Sequence, residues 1–119
     1  MPFTKTIALG AVAAVVLGAP LPASAAIKWL TCQLYDSTKN RVVHLNSPYP
    51  TGGTINADLQ YEGFLKAARH QNVIDEASKT EGACIVSNSE DEALGGVNGF
   101  VKHFKDMGAR EATIGFAPS

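Results

Sequence analysis

Cysteine and charge are both scarce in this chain. Its 119 residues hold two cysteines, three histidines and one tryptophan, and only 18% are Asp, Glu, Lys or Arg. Two cysteines, Cys32 and Cys84, are too few for a four-thiolate zinc site, and without Cys-x-x-Cys spacing they make no dithiol redox motif. His44, His70 and His103 show no His-x-His or His-x-x-x-His spacing that would aim two imidazoles at one ion, so no metal is expected. No Gly-x-Ser-x-Gly elbow is present for a nucleophilic serine. Gly52-Gly53-Thr54 lacks the lysine and spacing of a phosphate-binding loop, so it reads as a turn and no cofactor is expected. Ten basic residues stand against eleven acidic ones, with no basic cluster. Nothing in that balance suggests nucleic acid or an anionic membrane surface as partner, since both call for grouped Lys and Arg.

The longest apolar run, Ile7 to Leu17, is about half of the roughly 20 residues a membrane-spanning helix needs. It follows Lys5, is closed by Gly18 and Pro20, and leads to Ala23-Ser24-Ala25, a small-x-small cleavage site. Residues 1–25 therefore read as a cleaved signal peptide, with no stable membrane span after its removal. Cys32 follows Trp29-Leu30-Thr31 well past the apolar run, which argues against a lipid-modified cysteine. The expected location is periplasmic or extracellular. In such an oxidising compartment the default for Cys32 and Cys84 is a disulfide. Residues 26–119 make one small domain of ordinary soluble composition, with a formal charge of −2 once Lys5 is lost.

Within that domain Ile27 to Tyr35 alternates, with Leu30, Cys32 and Leu34 on one face and Trp29, Thr31, Gln33 and Tyr35 on the other. Asp36 to Asn40 is turn chemistry, and Arg41 to Leu45 reads as the returning strand of a hairpin. Two prolines and two glycines make Ser47 to Thr54 a loop. A helix capped by Asn56 or Asp58 carries Tyr61, Phe64, Leu65 and Ala68 in one stripe and ends in Arg69 to Asn72. Ala83 to Ser87 reads as a short strand. Ser89-Glu90-Asp91-Glu92 then opens a second helix with a capping box. Its stripe runs Ala93, Val97, Phe100, Phe104 and Met107, and Gly108 stops it. Gly95, Gly96 and Gly99 inside that helix predict close approach to the sheet or, alternatively, docking of a partner helix. Ala112 to Phe116 is the closing strand.

The element order is β-β-α-β-α-β. One apolar stripe per helix and one apolar face per strand predict an α+β fold: a four-stranded mixed sheet with two helices on one face. The last two crossovers are expected to be right-handed, with parallel neighbours for the final strands.

From Cys84 onward, the pattern Ser87-x-Ser89-x-x-x-Ala93 and the ending Gly115-Phe116-x-Pro118 resemble small exported bacterial proteins of uncharacterised function with two cysteines about 50 residues apart. The resemblance implies a disulfide and a strand-helix-strand ending, and no chemistry. Ala83 to Ile114 also resembles half of a SPOR repeat, the peptidoglycan-binding module of bacterial envelopes, although no second repeat is visible. If both helices share one face, the other is wet and displays Trp29, Thr31, Gln33 and Tyr35 as a candidate binding face, unless loops or chain ends cover it. A non-enzymatic binding or envelope-associated protein is the expected function, with a cell-envelope glycan or another envelope protein as partner. A small secreted enzyme, or an inhibitor presenting Ser47 to Thr54 as a protruding loop, is the alternative.

Overall fold

A computed structural model of the chain describes residues 27–52 and 54–118, so the expected signal peptide lies outside the described residues. Seven elements follow in order: β1 (Lys28–Asp36), β2 (Arg41–Leu45), β3 (Tyr49–Thr51), α1 (Ala57–His70), β4 (Thr80–Ser87), α2 (Glu90–Asp106) and β5 (Arg110–Ile114). Local chemistry sets their limits. Asp36 Oδ1 accepts hydrogen bonds from the Thr38 and Lys39 amides, and Asn40 takes φ 51°, which tightens the hairpin turn. Asn56 Oδ1 accepts from Leu59 N at 3.1 Å to cap α1. Ser89 Oγ accepts from Glu92 N, while the Glu92 carboxylate reaches back to Asn88 N at 3.0 Å, one residue earlier than the usual capping box. Gly108, at φ 97°, releases the chain from α2 into β5.

The sheet is built around β1. On one edge β4 runs antiparallel to it without interruption, from Trp29 opposite Ser87 to Asp36 opposite Thr80. On its other edge β1 meets β2 over Gln33 to Asp36 and β3 over Lys28 to Leu30, both antiparallel. Between those two ladders Thr31 and Cys32 face four residues, Leu45 to Pro48, so the returning strand carries a two-residue bulge. β5 pairs parallel to β2 on the far side. The final strands β4 and β5 are therefore parallel in direction but occupy opposite edges, rather than lying side by side. Within the expected Ser47–Thr54 loop, Tyr49, Pro50 and Thr51 are instead tied to β1 as a short strand.

The α+β class, the mixed sheet, the two helices and the disulfide are as expected, but the helices do not share a face. Phe64 and Ala68 of α1 pack with Leu30, Cys32, Leu34, Val43, Leu45, Cys84 and Ile114. Val97 and Val101 of α2 pack instead with Val42, and Phe104 stacks on Tyr35 with ring centroids 4.2 Å apart. Strand alternation puts those two groups on opposite sides of the sheet. The physical reason lies in β1 and β2: Thr31 and Gln33 are buried and Val42 and Val43 are both fully buried, so both sheet faces need cover. Nor do Gly95, Gly96 and Gly99 serve close approach, since a Cβ at any of them meets nothing within 4 Å.

Cys32 and Cys84 are directly opposed in the β1–β4 ladder and joined by a disulfide across 52 residues of sequence. A loop of that length is worth about 4 kcal/mol in the chain-entropy account. Two residues before Cys84, Gly82 lies so close to β1 that a Cβ there would overlap the Gln33 carbonyl oxygen and stand 2.6 Å from Leu34 Cα. The C-terminal segment leaves the sheet after Ile114. Phe116 meets Phe64 edge-on at 6.2 Å, and Gln71 Nε2 donates to the Gly115 carbonyl at 2.9 Å.

Candidate functional site

The expected binding face is covered. Thr31 and Gln33 are 4% and 3% exposed beneath α2, Tyr35 is held under Phe104, and Trp29 is half-buried. The four side chains share one face of β1 as the alternation predicted, but they do not form an open platform. Tyr35 also spends its hydroxyl locally, donating to Asn40 Oδ1 at 2.7 Å.

Open, shaped surface lies instead at one end of the sheet. β2, β4 and β5 all run in the same direction, and their carboxyl ends, Leu45, Ser87 and Ile114, converge there with the start of α2. Ligands of open sheets with parallel strands favour such an end, because side chains of several strand-ending loops meet in one place. The two-residue bulge shapes it. Leu45, Asn46 and Ser47 form a ridge with a depression on each side.

The first depression, about 50 Å³, lies toward α2, with Thr31 and His44 beneath and Pro48, Leu94, Val97 and Asn98 around it. The second, about 160 Å³, lies in the notch where β5 stops, between Tyr49 and Phe116. Tyr49 is 39% exposed. Both are small beside the roughly 300–1,000 Å³ of enclosed ligand pockets, so this surface suits shallow recognition rather than engulfment. A third depression of about 190 Å³ sits at the hairpin end, lined by Tyr35, Ser37, Lys79, Thr80 and Glu81, away from the parallel strand ends.

His44 is the histidine of this surface, and its partners restrain it. Its Nδ1–H donates to the Leu45 carbonyl at 2.7 Å, and Nε2 meets Glu111 Oε2 at 2.7 Å. Lys105 Nζ donates to the other oxygen of Glu111 at 2.9 Å. The Lys105 hydrogen bond, followed by that of His44, holds the Glu111 carboxyl below the usual carboxylate range. The trio thus ties α2 to β5 and β2, and the imidazole is committed to structure. Among the described residues no group of three His, Cys, Asp or Glu side chains is placed to hold a metal ion. No helix among them is long and apolar enough to cross a membrane.

Of this surface, Tyr49 and Asn46 had no periodic signal to mark them, and only Pro48 and Pro50 hinted that the chain changes course there. Phe116, expected on the closing strand, lies beyond the end of that strand at Ile114 and meets Phe64 instead. No family model, curated protein sequence or solved structure matches the chain.

Proposed function

We propose that the chain is an exported, disulfide-locked binding domain of the cell envelope, non-enzymatic, whose ridge and notch at the strand ends take a polar glycan. The observation that carries the reading is the buried Cys32–Cys84 disulfide in so small a domain. Such bonds persist in oxidising compartments and are reduced in the cytosol, so the bond and the leader support one another. The glycan half rests on chemistry at the notch. An exposed Tyr49 offers a rigid apolar ring with a polar tip, and Asn46 and Ser47 beside it offer amide and hydroxyl groups. Sugar rings present the matching pair of an apolar face and a rim of hydroxyls. The likeness of Ala83 to Ile114 to half a SPOR repeat points to peptidoglycan as the first ligand to try.

The test combines mass spectrometry with sedimentation. Protein recovered from its host should begin after residue 25 and resist alkylation at both cysteines. The mature protein should co-sediment with purified peptidoglycan, and Tyr49→Ala should reduce recovery at least about tenfold, the effect of losing about 1.4 kcal/mol of contact. Free thiols and an intact leader would overturn export; equal recovery of wild type and variant would overturn the glycan notch.

A further inference from the structure

Among the described residues no strand lies on the outer edge of β4: it pairs with β1 alone and spans eight residues, Thr80–Ser87. Edges of this length are ordinarily blunted by proline, lysine or a bulge. None is found here. The register with β1 is unbroken, the segment reads Thr-Glu-Gly-Ala-Cys-Ile-Val-Ser, and Glu81 is its sole charge. At the opposite edge β5 is shorter and opens on Arg110 and Glu111, the latter bound by Lys105 and His44.

Which backbone groups β4 offers follows from its pairing with β1. Ser37 N donates to Lys79 O at 2.9 Å, one step beyond the ladder, so the odd-numbered residues of β4 form its hydrogen-bonded pairs with β1. The 4.0 Å Cα separation of Cys32 and Cys84 agrees, since non-hydrogen-bonded pairs are the close ones. The N–H and C=O groups of Gly82, Cys84 and Val86 therefore point away from β1, toward the outer edge. On the α2 side of the same strand Ala83 is exposed and Ile85 is 49% exposed.

We infer that β4 pairs antiparallel with β4 of a second copy of this chain, joining the two sheets about a two-fold axis at Cys84. The alternation of outward groups allows two near-full registers, and side chains choose between them. Centring on Ala83 sets Ile85 against Glu81 of the other copy, an apolar chain against a charge. Centring on Cys84 sets Ile85 against Ala83 and Glu81 against Ser87, leaving no like charges opposed and an apolar pair at each side of the axis. It also brings the Glu81 end of one strand toward the Lys28 end of the other, where Lys28 Nζ bonds Asn88 at 2.6 Å. A closed two-fold pair consumes both edges, so assembly stops at two copies. This inference is independent of the glycan notch.

Sedimentation equilibrium of the mature protein, paired with hydrogen exchange, tests it. Wild type should form a dimer as concentration rises, with the Gly82, Cys84 and Val86 amides becoming protected in step. Ile85→Lys, at an exposed position, should keep the circular dichroism of wild type while losing both the dimer and that protection. A wild-type protein that stays monomeric into the millimolar range overturns the inference. So does a dimer whose new protection falls on Arg110–Ile114, or one that Ile85→Lys leaves intact.

Discussion

Each helix covers one side of the same sheet, but the two layers are made of different materials. Beneath α1 the contacts are mainly apolar: Phe64 and Ala68 close over Leu30, Leu34, Val43, Ile114 and the disulfide, with Gln60 as the buried polar residue of the helix. Beneath α2 a small apolar group, Val42, Val97 and Val101, lies beside buried Thr31 and Gln33, an aromatic stack, and the His44–Glu111–Lys105 trio. Apolar burial is non-directional and proportional to area, whereas stacked rings and charged hydrogen bonds have geometry to satisfy. The first layer thus supplies most of the stability and the second sets where α2 sits, and with it one wall of the strand-end ridge.

Truncating one large ring in each layer tests that division most strongly. Phe64→Ala should cost about 3–5 kcal/mol, the range for a fully buried phenylalanine, read from the denaturant midpoint. Phe104→Ala should cost clearly less, because its ring is only partly buried, although its stack on Tyr35 contributes about 0.5–1.5 kcal/mol beyond area. Equal losses would erase the distinction between the layers.

Acid should loosen the α2 side first. With its pKa depressed in the fold, Glu111 contributes stability that is present above the ordinary carboxylate pKa and lost as pH falls through the lowered value. Glu111→Gln should therefore lower stability at neutral pH and flatten the decline on acidification. A variant with an unchanged acid limb would show that the trio does not hold α2.

The smallest expected effect has the opposite sign. Gly96→Ala meets no atom within 4 Å, so it should stabilise α2 by about 0.5–1 kcal/mol through restricted unfolded-chain freedom and better helix propensity. Destabilisation by that variant would mean the helix sits closer to its neighbours than its open surroundings indicate.

Much of this architecture was legible in the residues. Local signals carry well: the Asn56 and Ser89 caps, the Gly108 stop and the alternation of β1 all act within a turn or a strand, while the Cys32–Cys84 bond, 52 residues apart, was legible because two cysteines allow a single pairing. The sidedness of α2 was not legible, because Thr31 and Gln33 are polar and read as solvated, while their burial depends on a helix some 60 residues away in sequence. The strand-end ridge was hidden for a related reason. It exists only because two extra residues bulge out of a ladder, and periodicity reports regular pairing, not its interruption.

Gly82 gives the β1–β4 pairing a guide that acts before any sulfur chemistry. Slide β4 by one position in either direction and the methyl of Ala83 or the chain of Glu81 would have to enter the gap against Gln33 and Leu34 that admits hydrogen alone. The crosslink thus seals an alignment that shape has already selected, and the folding chain can bring its two thiols face to face before an oxidant arrives.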